Sequence, residues 1–491
     1  MILESLYMCL TVHNFLMMAA GVVIGLVFGA IPGLTYMTGI LLVLPLTYSM
    51  DTVSALSILL GIYCGGMTGG SVSAILLGIP GTPSAAATVL DGYPLAQKGK
   101  AQKALGMALA ASVLGGLISL LILILVAPQV SAITMMFSAA ERFALIVLGL
   151  SCICRVSSKD LVKGLISAII GIMITTVGMD PIMGVPRYTF GNIYLLSGID
   201  LLPVLIGMFA MPEIISSILG KKHEEKTETS HAKVSLPNMS ELKQCATTIL
   251  RGSLIGTIVG AIPGTGGPTA CFLAYDDAKR SCKNGDKFGT GVLEGVAAPE
   301  SANNAVSGGA MIPMLTMGIP GDGTTAVLMG ALMIHGLQPG PLLFQEDSKT
   351  VYAIFISMFA INILILIIQS FGIKLFARIL DVPLAYLNGV IIALCLIGAY
   401  AQNGTYYDVI VMAAAGGLCY MLKWAGFSTT PLLLGVALGG GLEQNFRLAM
   451  TMTKGNIIQI ITRPICAGIL LVTLFLILQP VLKNLIKRRT A

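Results

Sequence analysis

Glu300, Ser301, Asn303 and Asn304 crowd into one short stretch of an otherwise apolar region. A carboxylate, a hydroxyl and two amides at this spacing offer hard oxygen ligands, the chemistry that Na+ or a proton relay requires. A carboxylate inside a bilayer is costly and is a functional candidate by default. The competing reading puts Glu294 and Glu300 at the interface, capping the helix that follows. A second set of candidates is mainly backbone. Gly78-Ile79-Pro80-Gly81-Thr82-Pro83-Ser84 and Gly318-Ile319-Pro320-Gly321-Asp322-Gly323-Thr324-Thr325 are helix-breaking phrases that each precede a good helix start. Proline removes a backbone N–H, and glycine lets the chain leave helical geometry. Ser84 is placed to cap the first following helix, and Asp322 or Thr324 the second. Free N–H groups at such starts favour an anion. The expected substrate site is therefore Ser71, Gly78, Pro80, Gly81, Thr82 and Ser84 with Gly318, Pro320, Gly321, Thr324 and Thr325. The expected ion-coupling set is Glu300, Ser301, Asn303 and Asn304. Gly264-Thr265-Gly266-Gly267-Pro268-Thr269 offers a further polar turn.

These residues lie on a duplicated frame. Gly21 to Gly33 and Gly252 to Gly264 agree at eight of thirteen positions, each ending Gly-Ala-Ile-Pro-Gly. Gly69-Gly70 precedes one Gly-Ile-Pro-Gly as Gly308-Gly309 precedes the other. Pro32, Gly33, Pro263 and Gly264 are thus a second matched pair of structural breaks. Matched halves with interrupted apolar segments point to a transporter with its solute site between the breaks.

The chain of 491 residues is 55% hydrophobic and only 11% charged, against about 25% charged for a soluble domain. No Asp, Glu, Lys or Arg lies between Asp51 and Asp91, or between Lys103 and Glu141. Such gaps hold one span of about 20 apolar residues, or a span plus a broken segment. Runs such as Leu117 to Ala127 do not alternate, which argues for helices over a barrel. The N-terminus has no Lys or Arg before Lys98 and is expected to be retained. The net charge of +6 is modest and lies in loops, reading as topology control and not nucleic-acid binding. The ten cysteines are scattered and the four histidines do not cluster, so no transition-metal site or cofactor is expected.

The basic loops change side between halves. Lys98, Lys100 and Lys103 correspond to Glu346, Asp347 and Lys349; Asp51 alone corresponds to Lys279, Arg280, Lys283 and Lys287. Arg155, Lys159 and Lys163 correspond to the uncharged Ala401 to Gly404 turn. If basic loops lie inside, equivalent loops lie on opposite faces. The expected fold is an all-α polytopic membrane protein of two inverted structural repeats with broken or re-entrant helices and about 11–12 transmembrane segments. Residues 1–220 form the first repeat, 221–250 a cytoplasmic linker, 251–455 the second repeat and 456–491 an extra helix with a basic tail. Crossings are expected near 55–78, 105–127, 140–154, 164–179 and 201–219, with the C-terminus in the cytoplasm. Tyr63, Met67 and Trp424 read as packing or interfacial anchors.

The chain resembles the large membrane subunit of the tripartite tricarboxylate transporters, the TctA-type family. The matching text includes Gly61-Ile62-Tyr63-x-Gly65-Gly66-Met67-x-Gly69-Gly70-Ser71, Ile79-Pro80-Gly81-Thr82-Pro83 and Asp91-Gly92-Tyr93-Pro94. In the second half it includes Glu294 to Ala305, Gly318-Ile319-Pro320-Gly321 and Gly340-Pro341. At Gly78 the resemblance departs from the Asn expected in many relatives. It implies a secondary carrier in the cell membrane, driven by an ion gradient of Na+ or H+. It also implies a small integral-membrane subunit, an extracytoplasmic solute-binding protein and a carboxylate substrate such as citrate. A carrier of another small solute or a passive channel would share the architecture. An intramembrane enzyme would need an acid/base pair or metal cluster that the sequence does not display.

Overall fold

The computed structural model describes residues 2–157, 161–180, 183–219, 234–379 and 384–490. The first half contains α1 (Ile2–Cys9), α2 (Val12–Ala30), α3 (Tyr36–Val43), α4 (Thr52–Leu76), α5 (Ala86–Leu95), α6 (Ala101–Thr134), α7 (Ala139–Ser157), α8 (Leu161–Thr175) and α9 (Leu201–Leu219). The second contains α10 (Met239–Ala261), α11 (Gly266–Ser281), α12 (Leu293–Met317), α13 (Gly323–Ile334), α14 (Leu343–Glu346), α15 (Ser348–Ile379), α16 (Leu384–Asn403), α17 (Tyr406–Trp424), α18 (Thr429–Met452), α19 (Ile457–Ile461) and α20 (Pro464–Thr490). Among the described residues, four helical stretches are long and apolar enough to cross a bilayer: Val12–Ala30, Thr52–Leu76, Pro83–Thr134 and Ser348–Ile373. Shorter apolar helices such as Tyr36–Ser49 and Gly323–Ile334 belong to interrupted segments.

Two central helices, α4 and α12, are enclosed by protein along almost their whole length. α2 seats on α4 and α10 on α12 through matched glycines. A Cβ on Gly21, Gly25 or Gly29 would overlap the carbonyl of Ile58, Ile62 or Gly66; one on Gly256 would overlap that of Ala302, and one on Gly260 would stand 2.7 Å from that of Val306. In an apolar solvent, close backbone approach replaces the hydrophobic effect as the source of helix association. The two copies of the glycine phrase thus make the same contact in each half.

Loop contacts fall into two groups, each termed a rim. At one, Lys98 Nζ donates to the Thr290 carbonyl at 2.5 Å, Lys103 pairs with Glu241 at 2.6 Å, and the Ser235 amide donates to Gln102. At the other, Thr47 Oγ1 meets His335 Nε2 at 3.2 Å, and Glu4 pairs with Lys349 at 3.0 Å. α12 starts from the first rim and α13 ends at the second, with the break at residues 318–322 between them.

Three expectations are corrected. The crossing expected at 164–179 stops at Thr175. Gly178–Met179 pairs with Pro186–Arg187 as a small antiparallel two-stranded sheet. It is tied to α18 by an ionic cluster: Arg187 to Glu443 at 2.6 Å, and Arg447 to Asp180 at 2.8 Å and to Glu443 at 2.7 Å. Charge pairing, absent from hydropathy, decides this segment. The linker expected at 221–250 overlaps α10, because Asn238 and Glu241 form a reciprocal capping box that starts the helix at Met239. Residues 221–233 of that linker lie outside the described residues. The third correction concerns the helix starts that follow the breaks.

Candidate functional site

Both Gly-Ile-Pro-Gly phrases interrupt the chain where expected. α4 ends at Leu76 and α12 at Met317, and Pro80 and Pro320 lie in non-helical backbone. Gly78 and Gly318 take φ of +69° and +68°, a left-handed conformation that glycine reaches freely and asparagine tolerates. Each break then folds onto the other break of its own half. A Cβ on Gly81 would overlap the Gly29 carbonyl, and one on Gly321 would stand 2.7 Å from the Gly260 carbonyl. The Gly264 amide donates to the Gly321 carbonyl at 2.7 Å. Gly29, Gly260 and Gly264, at the ends of the duplicated glycine phrases, therefore pack against the Gly-Ile-Pro-Gly breaks.

The helix starts after the breaks are less open than the sequence promises. Ser84 does not cap α5; it lies inside a short 3-10 turn, Pro83–Ala85, whose preceding residue Thr82 makes no side-chain cap. Pro83 has no N–H, and the amides of Ala85 and Ala86 are closed onto Thr82 and Pro83. At α13, Asp322 is the cap. Its carboxylate accepts from the Thr325 amide at 2.7 Å, and Thr325 Oγ1 accepts from the Asp322 amide at 2.8 Å. The positive end of α13 already faces its own carboxylate.

Side chains from the two halves converge between the breaks. The Tyr36 hydroxyl lies beside both Ser84 and Thr324. Its ring is 5.9 Å from that of Tyr63, whose buried hydroxyl faces Asp322 and closes no hydrogen bond. Thr68 Oγ1 donates to Asn304 Oδ1 at 3.0 Å, and Asn303 Nδ2 donates to the Met67 carbonyl at 3.0 Å. Glu300 is fully buried. Its two oxygens accept from Thr88 at 2.5 Å and Ser112 at 2.9 Å, so the interfacial capping alternative fails for this residue. Glu294 accepts from Gln244 at 2.7 Å in the first turn of α12, outside this cluster.

Two expected site residues point elsewhere. Ser301 donates within its own helix to Ala298, and its backbone packs against Gly115. Ser71 donates to the Thr68 carbonyl one turn back. The Gly264–Thr269 turn also closes on itself, with Thr265 Oγ1 donating to Ile262 at 2.8 Å. Sequence reasoning missed Tyr36, Thr88 and Ser112, and took Tyr63 for packing. Tyr36 could have been found by comparing repeats, since it stands where the second half has Gly267.

Asp91 is a further buried carboxylate that the sequence reading left without a role. It accepts from Tyr275 at 2.8 Å and from the amides of Gly289, Gly291 and Val292 at 3.0, 2.7 and 2.9 Å. This arrangement fastens the end of α5 to the entry of α12. All its lone-pair directions are used, so its role is positional.

Comparison with known proteins bears on what this site serves. A relative from Agrobacterium vitis, described as an uncharacterized 52.8 kDa protein in the TAR-I ttuC' 3'region, is 34% identical over 480 residues, 98% of this chain and 95% of that protein. Another from the same organism, an uncharacterized protein in the TAR-II ttuC' 3'region, is 37% identical over 232 residues, 47% of this chain and 96% of its own length. No solved structure matches the chain. The family model described as tripartite tricarboxylate transporter TctA family matches residues 15–434. A helical chain with apolar spans, paired breaks and this match over most of its length belongs to the tripartite tricarboxylate transporter TctA family.

Proposed function

We propose that this chain is the solute-carrying subunit of a secondary active transporter in the cell membrane. It imports a carboxylate, tricarboxylate-like solute with a Na+ or H+ gradient. A small integral-membrane subunit and an extracytoplasmic binding protein work with it, as the family's tripartite description implies. The observation that carries the reading is the meeting of the two breaks: one tyrosine hydroxyl, Tyr36, lies beside Ser84 of the first and Thr324 of the second. Discontinuous helices facing each other across a repeat interface are how secondary carriers hold a solute.

The halves are read as inverted repeats, 1–220 and 251–455, followed by an extra helix and basic tail at 456–491. The two rims support this. The loop at Lys98 to Lys103 meets the loop ending at Thr290, while Thr47 meets His335. Loops that correspond by sequence position thus sit at different rims. With the basic rim inside, the C-terminus is cytoplasmic. Alternating access is movement of the broken segments against the remaining helices. Thr82, Ser84 and Thr324 present hydroxyls toward the solute, while the Thr325 hydroxyl closes the α13 cap, and Glu300, Asn303 and Asn304 serve coupling.

The test is uptake of radiolabelled citrate into proteoliposomes holding this chain, its small membrane subunit and its binding protein. Saturable accumulation against a gradient, abolished by collapsing the ion gradient, is expected. Uptake that only equilibrates would indicate a channel. No uptake of citrate or other carboxylates, with uptake of a neutral solute, would replace the cargo and retain the carrier.

A further inference from the structure

The two halves share a backbone frame and differ in what fills it. Tyr36 follows Gly33 by the same spacing as Gly267 follows Gly264. Tyr63 follows Ile62, which faces Gly25; Asn303 follows Ala302, which faces Gly256. The tilted tyrosine pair of one half therefore corresponds to a glycine and an asparagine in the other. Where two aromatic rings close the space in the first half, small and polar groups border it in the second.

A Cβ on Gly267 would overlap the Ser84 hydroxyl and stand 3.5 Å from Asn303 Oδ1. Gly267 thus lets Ser84 approach the asparagine oxygen. Asn303 is fully buried, and its Nδ2 is committed to the Met67 carbonyl. Its Oδ1 and the Ser84 hydroxyl both border Gly267, and the Oδ1 has no hydrogen-bond partner among the described residues. Thr82 Oγ1, two positions before Ser84, is also buried without a partner. Burying an unsatisfied acceptor is expensive. Neutral hard oxygens of this kind suit a small cation.

We infer that Gly267, Ser84 and Asn303 frame a Na+ site, and that the bound ion supplies the positive charge which a carboxylate solute needs. This rests on the reading of the chain as a cation-driven carboxylate carrier. It deepens that reading because α2, α3, α4, α5, α12 and α13 contain no Lys or Arg. The first turn of α5 is largely closed and that of α13 is met by Asp322, so helix ends alone do not neutralise the solute. The ion seat is also separate from Glu300, whose oxygens are held by Thr88 and Ser112.

The experiment is binding of radioactive Na+ to the purified full chain, with melting in choline medium as the check on folding. Wild type binds saturably, and Gly267→Ala and Ser84→Ala each weaken binding by about tenfold or more. Thr473→Ala, which removes a hydroxyl that turns back onto Ile469 in α20, stays within about twofold of wild type. Should Gly267→Ala fail to fold, Ser84→Ala decides, since it removes one oxygen and adds no bulk. Absence of Na+ binding by wild type, or wild-type affinity in Ser84→Ala, overturns the proposal. So does an equal loss of binding in Thr473→Ala. Carboxylate uptake that proceeds fully in choline medium would sink the Na+ site and leave the carrier reading intact. Na+ binding with the expected losses, in a chain that moves no carboxylate, would keep the site and sink the carrier reading.

Discussion

Thr88 and Glu300 come from different halves of the chain, and the threonine hydroxyl donates to the glutamate carboxylate across 2.5 Å. With Ser112 on the other oxygen, the carboxyl is held on both sides by hydroxyls in a fully buried place. Glu300→Gln keeps the shape and one acceptor. It should change the ion dependence of uptake more than solute selectivity. Uptake assays across Na+ concentration and pH, with competing carboxylates, check this; unchanged ion dependence would remove Glu300 from coupling. Glu300→Leu should also destabilise the fold by about 1–3 kcal/mol, since two buried hydroxyls lose their acceptor.

Gly29→Ala should be poorly tolerated. Its Cβ would overlap the Gly66 carbonyl, and the Gly29 carbonyl is itself the seat of Gly81. Overpacking of this kind costs about 1–3 kcal/mol. Gly417→Ala is the matched control: a Cβ there meets nothing within 4 Å, and alanine favours a helix by about 1 kcal/mol. Melting of both purified variants should separate in opposite directions from wild type. Equal melting of Gly29→Ala and wild type would refute the close seating of α2 on α4.

Asp322→Ala removes the side-chain arm of the α13 capping box and leaves the backbone amide of residue 322 on Thr325 Oγ1. A loss of about 0.5–2 kcal/mol is expected, with Asp322→Asn recovering most of it. Thermal melts would reveal this, and equal melting of the alanine and asparagine variants would argue against the cap.

The Lys103 ammonium beside Glu241 holds that carboxyl below its ordinary value of 4.5, with the Asn238 amide adding to the effect. A folded pKa lower than the unfolded one gives stability that is present above the ordinary value and lost as pH falls through the folded one. Lys103→Met should therefore lower stability near neutral pH by about 0.2–1 kcal/mol. The difference from wild type should fade below about pH 4. Melting temperatures from neutral to acidic pH test this; a constant gap at every pH would contradict it.

The breaks were legible because each pairs a left-handed glycine, Gly78 or Gly318, with a proline two residues on; a proline alone does not end a helix here, since Pro299 and Pro313 lie inside α12. The duplicated glycine phrase also told which helices seat together, since only small residues permit that approach. What surrounds the breaks was harder to read. Ser84 looks like a cap in sequence, yet a tight turn through Pro83 consumes the amides it would serve. Ser301 stands among polar neighbours but turns back onto its own helix, because helical rotation places it toward α10 while Asn303 and Asn304 face α4. Tyr36 and Thr88 reach the site only through contacts with the other half, which no local pattern encodes.

The central claim is that the solute lies where the two broken segments meet. An experimental map of the protein purified with citrate and Na+ tests it most directly. The account predicts solute density in contact with Ser84, Thr324 and Tyr36, between the Pro80 and Pro320 loops. Solute density far from both loops, or loops that face lipid on opposite sides of the protein, would contradict it.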